Sequence, residues 1–236
     1  ASVYQHCHFI RGYFSRYSSA NNHLFGEYMG LFIACIVWPL WLESKAWQRV
    51  AHEGLEREAR AQNFDDGVNR EQAIYYHHEV MDMMLLCERA GSAAQVKFSD
   101  GYMRKLEQMA EFVHAVMDCA GNVPMIGDAD DALMVRISHH ESWSPYRSLL
   151  ASCAVLFQRP DFLEKAHDID AKTRLLFDSQ SIEDLARQVD ANTADSPRLA
   201  FPEGGYYLLG TRFGMPDEVR AVVDCGPLGY LSIAAH

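Results

Sequence analysis

Three polar side chains in a row, Asn21-Asn22-His23, stand directly before a long apolar stretch that runs to Trp38. Asn22 offers an amide donor and an acceptor, and His23 a titratable imidazole. Glu27 lies one helical turn beyond His23 on the same face, where a carboxylate can fix the ring's tautomer. A helix-start histidine that is merely satisfied by Glu27 is the structural alternative. A second group, Glu71, Gln72, Tyr75, Tyr76, His77 and His78, falls inside a predicted helix whose other face carries Ala73, Val80, Met84 and Cys87. Gln72 and Tyr76 are four apart and share a face of that helix. With an ordinary pKa of about 10, a tyrosine needs a neighbouring cation or metal to serve as a base at neutral pH. The plain alternative for Tyr76 is a packed aromatic whose hydroxyl has found a partner. His77 and His78 adjoin and point in different directions, so at most one faces a site and the other is solvated or packed.

The loop GDADD places Asp128, Asp130 and Asp131 close together, as paired glycosidase carboxylates or oxygen ligands for a hard cation would be. A polar loop that caps the next helix accounts for them as well. His139, His140, Glu141 and Trp143 could line a sugar cleft or lie on an ordinary surface loop. In FPEGGYYLLGTR a strand rather than a helix follows Gly204-Gly205, so the pair reads as a hairpin turn and not as a phosphate loop. No G-x-S-x-G elbow, Walker loop or H-E-x-x-H segment occurs, which removes the commonest hydrolase, nucleotide and zinc-protease motifs.

These residues must be positioned by helices. The period is helical to about residue 190, as in the stripe Tyr102, Met103, Leu106, Met109, Ala110, Val113, Val116, Met117. Helices are predicted near 3–17, 23–44, 45–62, 70–90, 99–119, 146–158 and 181–189, the last opened by a Ser181-x-x-Asp184 cap. Beyond 197 the pattern turns to short strands, Tyr206 to Leu209, Glu218 to Asp224 and Tyr230 to Ala234. The expected organisation is a helical domain over 1–196 and the first strands of a β domain over 197–236, too few to close a sandwich without further sequence.

Of the 236 residues, 49% are hydrophobic and 22% charged, a globular profile. The net charge of -11 and the lack of a basic run argue against nucleic acid as a partner. The longest uncharged run, Tyr28 to Leu42, contains Pro39 and falls short of the roughly 20 residues needed to cross a bilayer, which predicts a buried helix and no membrane span. The six cysteines are widely spaced without a C-x-x-C pair and read as free, mostly buried thiols rather than a zinc knuckle, a usage that leans toward a reducing compartment. The start at Ala1-Ser2-Val3, with neither an initiator Met nor a secretory signal, suggests a processed or incomplete chain.

Taken together, SSANNHLFGEYMGL at 18–31, DGVNREQAIYYHHEV at 66–80, GDADDA at 127–132, FPEGGYYLL at 201–209 and DCGPLGYLSIAAH at 224–236 resemble the heparinase II/III-like polysaccharide lyases in order and spacing. The resemblance implies a mainly α fold, a partial (α/α) toroid of helical hairpins followed by the start of an antiparallel β-sandwich. It implies β-elimination on a uronic-acid-containing acidic polysaccharide bound in the cleft between them. Carried over by motif, Asn22 and His23 neutralise the uronate carboxylate and so acidify the C5 proton. Tyr76 donates a proton to the departing glycosidic oxygen. His236 matches the first histidine of an H-G-H-x-D segment that joins the same site from the β domain. Gln72, Tyr75 and His77 are substrate-binding candidates and Glu27 supports His23 from behind. No cofactor is expected within this chain, while a divalent metal, zinc or calcium, would belong to the part of the β domain that follows His236. The implied partner is an acidic polysaccharide or oligosaccharide, heparan sulfate, alginate, hyaluronan or a bacterial exopolysaccharide, and a homo-oligomer is left open. The implied location is the bacterial periplasm or outside the cell, against the cysteines' lean toward the cytoplasm. Two other readings stand beside it: a glycoside hydrolase on a helical toroid using Asp130 or Glu71, and a catalytically silent polysaccharide-binding protein that keeps the cleft.

Overall fold

The computed structural model describes residues 1–130, 133–138, 143–188 and 197–232. Its helices are α1 (Ser2–Gly12), α2 (Asn22–Val37), α3 (Ser44–Ala61), α4 (Ile74–Ala93), α5 (Asp100–Val116), α6 (Pro145–Phe157), α7 (Pro160–Ala166), α8 (Ala171–Leu176) and α9 (Ser179–Ala186). The strands β1 (Ala200–Phe201), β2 (Tyr206–Thr211) and β3 (Val219–Asp224) form one antiparallel sheet in chain order.

Helix α2 exists because Leu24, Phe25, Tyr28, Leu31, Phe32 and Cys35 recur at helical spacing, and all six are buried against α3 and α4. It stops at Val37, two residues before Pro39, which can neither donate to the ladder nor leave its predecessor helical. Pairing with α3 then follows from the stripe Trp47, Ala51, Leu55, Ala59. A Cβ at Gly54 would stand 2.5 Å from a Tyr28 ring carbon, so this glycine sets how closely the two helices approach. Helix α5 opens on Ser99, whose Oγ accepts from the Tyr102 N–H, and buries Tyr102, Leu106, Met109, Ala110 and Val113. Beneath α4, Lys172 Nζ lies 2.5 Å from Asp82 Oδ1, an ion pair in which both side chains are 3% exposed.

The sheet sits on a second core. Tyr206 and Leu208 point inward and Tyr207 and Leu209 outward, the alternation expected of a half-buried strand. The inward pair meets Phe201, Val68, Ile74, Phe112 and Val116, with the Phe112 ring edge-on to both Phe201 and Tyr206 at 5.1 Å. Asp66 ties the layers together: Oδ2 accepts from the N–H groups of Glu203 (2.8 Å) and Gly204 (2.9 Å), while Oδ1 accepts from Val68 N–H. Glu203 reciprocates by accepting from Asp65 N–H. The Gly204-Gly205 turn is as tight as its sequence implies, since a Cβ at Gly205, where φ is +79°, would fall 2.1 Å from Gly226 Cα.

Several expectations are corrected. The helix predicted from residue 70 begins at Ile74, because Gln72 takes φ +60°. The final long helix starts at Ser179 with Asp178 as its cap, so Ser181 donates to the cap instead of being one. The helix after GDADD, α6, is capped by Ser144 and not by that loop. Tyr230–Ser232 forms a short 3-10 turn with Leu231 at φ 57° where a strand was expected; residues 233 and 234 lie outside the described residues. The short helices α7 and α8 were not read from the sequence, as six or seven residues carry too little periodicity. All six cysteines are free thiols, and no helix among the described residues is long and apolar enough to cross a membrane.

Candidate active site

The start of α2 and the first two turns of α4 face one another across a cavity of about 430 Å³. Its wall is Ile10 of α1, Asn22, His23, Gly26 and Glu27 of α2, Tyr76, Glu79 and Met83 of α4, and Asp130 of the loop before α6. Helical spacing accounts for the α4 set, because Tyr76, Glu79 and Met83 stand three and four residues apart on one face.

Asn21 caps α2, its Oδ1 accepting from His23 N–H at 3.4 Å, while its Nδ2 donates to Glu71 Oε2 at 3.0 Å. Asn22 is held twice: its backbone N–H donates to Glu71 Oε1 (3.1 Å) and its Nδ2 to Glu79 Oε2 (2.9 Å). Glu71 is 1% exposed, and its own N–H donates to Asn69 Oδ1. The Asn22 N–H at the start of α2 and the amide of its cap Asn21 thus find one carboxylate from the segment leading into α4, which fixes the two site-bearing helices to each other. His23 is exposed at the cavity rim.

The electrostatics are acidic. Burial pushes the Glu71 carboxyl up to about 7, helped by the nearby Glu79 charge and opposed by Asn22, Asn21 and His23. Half-buried Tyr76 is shifted upward as well, first by desolvation and then by Asp128, Glu71, Asp130 and Glu79. A phenol surrounded by carboxylates holds its proton, so Tyr76 is suited to donate rather than to abstract.

Other residues singled out in the sequence sit elsewhere. Glu27 lines the cavity, but its carboxylate accepts from the N–H and Oγ–H of Ser15, both at 2.6 Å, and so anchors the α1–α2 connection instead of the His23 ring. His77 is 1% exposed; its Nδ1 accepts from Asn69 N–H and its Nε2–H donates to the Met109 carbonyl, which commits both nitrogens to the interior. Burial pushes its pKa down to about 4. His78 is buried too, against the Tyr146 ring and near Lys172, so neither histidine of the pair faces the cavity. Tyr75 is 8% exposed and packs edge-on against Tyr76, behind the wall. Gln72 precedes the helix and does not share the Tyr76 face. Its buried amide faces the Gly226 backbone, where Oε1 would lie 2.7 Å from an added Cβ, with no hydrogen-bond partner among the described residues. His236, Asp131, His139, His140 and Glu141 lie outside the described residues. Among the described residues, no group of three or more His, Cys, Asp or Glu side chains could hold a metal ion.

Sequence reasoning missed Glu79 as a residue of the site. The signal was present in its spacing, three after Tyr76, yet it needed the start of α2 opposite to give that face a purpose.

The chain has relatives. A family model described as the heparinase II/III N-terminus matches residues 1–147. The chain belongs to that family. A curated heparin-sulfate lyase from Pedobacter heparinus is 26% identical over 165 residues, covering 64% of this chain and 24% of that protein. Among solved structures, heparan sulfate lyase HepC from the same organism superposes with a TM-score of 0.64 at 18% identity, over 97% of this chain and 31% of that one. The heparinase III product of the BT4657 gene gives 0.62 at 20% identity, again over 97% and 31%. At these identities the superpositions establish a shared fold. This chain spans about a quarter of the length of the curated relative and about a third of each of those two structures.

Proposed function

We propose that the whole protein is a polysaccharide lyase that cleaves a uronic-acid-containing polymer of the heparan sulfate class by β-elimination. The observation that carries this reading is the single cavity in which Asn22, His23 and Tyr76, from segments more than fifty residues apart, stand on facing walls. The Asn22 amide and the His23 ring meet the uronate carboxylate, withdrawing charge so that the C5 proton becomes acidic and the anion left by its removal is stabilised. His236 or a group beside it, from the β domain, takes that proton. The C4–O bond then breaks, a C4–C5 double bond forms, and the protonated Tyr76 gives its proton to the leaving oxygen. A divalent metal, zinc or calcium, is proposed to sit in the β domain of the whole protein. A polymer too large to pass a membrane calls for a periplasmic or extracellular protein.

The acidic lining gives one specific reason to keep hydrolysis as a second reading, with Asp130 and Glu79 as the carboxylate pair. The test separates the two. Full-length protein is incubated with heparan sulfate, hyaluronan and alginate, while ultraviolet absorbance of the unsaturated uronate and new reducing ends are followed together. Both signals rise for elimination, whereas reducing ends without absorbance mean hydrolysis. Tyr76→Phe removes one hydroxyl and keeps the ring; turnover is expected to fall by about a hundred- to ten-thousandfold with melting temperature unchanged, general acid catalysis being worth on the order of 10² to 10⁴. Unchanged turnover would remove Tyr76 from the mechanism.

A further inference from the structure

We propose that Glu79 is the positioning residue for Asn22, its carboxylate fixing the orientation of the Asn22 carboxamide so that an N–H, and not the oxygen, is presented to the substrate's carboxylate. The inference rests on the reading of Asn22 as a uronate-facing group. A carboxamide is nearly symmetric in shape, and turning it over exchanges a donor for an acceptor at almost no steric cost. In front of an anion the two orientations are opposite in effect, since the amide N–H attracts a carboxylate and the carbonyl oxygen repels it. An ionised carboxylate only accepts, so Glu79 Oε2 at 2.9 Å selects the Nδ2 end of Asn22. One of the two amide hydrogens is used there. Among the described residues Asn22 makes no other side-chain hydrogen bond, which leaves the second hydrogen for a ligand in the cavity that Asn22 lines.

The placement supports the same role. The Asn22 backbone is already fixed by Glu71, so what Glu79 adds is the setting of the side-chain amide alone. Glu79 and Tyr76 are three apart on one face of α4, so the group that orients Asn22 and the group that gives the proton move as one rigid unit. Glu79 also sets a negative charge beside a negative substrate. A residue serving only to bind an anion would not be a carboxylate, and a tie between helices would not need to line the cavity.

Glu79→Gln in the full-length protein decides between these roles, because glutamine keeps the size but can accept from or donate to the amide and so no longer selects an orientation. If Glu79 positions Asn22, kcat falls on the order of ten- to a hundredfold while KM does not rise, one like charge having been removed. A lower KM with unchanged kcat would make Glu79 a bystander charge, and a lower melting temperature with unchanged kcat would make it a helix tie; either overturns the proposal. A second readout does not depend on turnover. The Asn22 side-chain amide protons are assigned by their loss in Asn22→Asp, and in the wild type one of the two is expected to be protected from exchange and to lose that protection in Glu79→Gln. If the wild type turns over no uronate polymer, the lyase reading fails, and the amide protons still decide: protection unchanged in Glu79→Gln overturns the role of Glu79.

Discussion

Replacing Glu71 by glutamine tests whether the segment before α4 holds α2 through a carboxyl that titrates near neutrality. Glu71 is 1% exposed and accepts from Asn21 Nδ2 and from Asn22 N–H. Burial raises its pKa from 4.5 to about 7 in the folded protein. The folded state therefore holds this proton more tightly than the unfolded chain, so the contribution of Glu71 to stability is greatest below about 4.5, declines as pH rises toward 7 and is level above it. At about 1.4 kcal/mol for each pH unit, the gap amounts to about 3 kcal/mol. Glutamine stays neutral at every pH and escapes that decline, but it offers one acceptor oxygen where Glu71 offers two, a loss of about 1 to 3 kcal/mol that does not vary with pH. Glu71→Gln is expected to be the less stable protein at about pH 4.5 and to gain about 3 kcal/mol on the wild type by about pH 8. His77 and His78, both held neutral by burial, titrate across part of the same interval with the opposite sign, and they cancel in the difference because both proteins carry them. Urea denaturation of the two full-length proteins at the two pH values measures it. A stability difference that is the same at both, within about 0.5 kcal/mol, would refute the raised pKa and with it the account of how α2 is fixed.

Lys172→Met leaves Asp82 with an uncompensated charge in the interior and is expected to cost on the order of 3 to 5 kcal/mol with little dependence on salt. Adding Asp82→Asn should recover most of it, and a single variant within about 1 kcal/mol of wild type in equilibrium denaturation would contradict the pairing. Asp66→Ala removes the acceptor of the Glu203, Gly204 and Val68 N–H groups and is expected to speed hydrogen exchange at Glu203 and Gly204 by at least about tenfold while the α2–α4 amides keep their protection. Equal exchange at those two amides would show that the sheet is held by its apolar face alone.

Much of this protein was open to reading along the chain. Periods of three and four residues gave α2, α3 and α5 because each buries one face, and the alternation in Tyr206–Leu209 gave β2 because its neighbours face opposite ways. Asn22, His23 and Tyr76 could be picked out because their residue types and spacing carry chemistry on any backbone. Tertiary structure decided what each polar residue is for. Gln72 left the face of Tyr76 because its own positive φ keeps it out of the helix, which begins two residues later at Ile74, and no periodicity records a single dihedral. His77 turned inward because Asn69 and Met109 offered a donor and an acceptor at the right distance on both sides of its ring. Glu27 went to Ser15 and not to His23 because the chain before α2 folds back over it. Glu79 joined the site because α2 and α4 pack with their ends level, bringing Asn22 within 2.9 Å of a residue 57 positions away in sequence. Local spacing is fixed by bond geometry and is therefore written in the sequence. Which partner satisfies a buried polar group depends on where distant segments come to rest, and only the packed structure sets that.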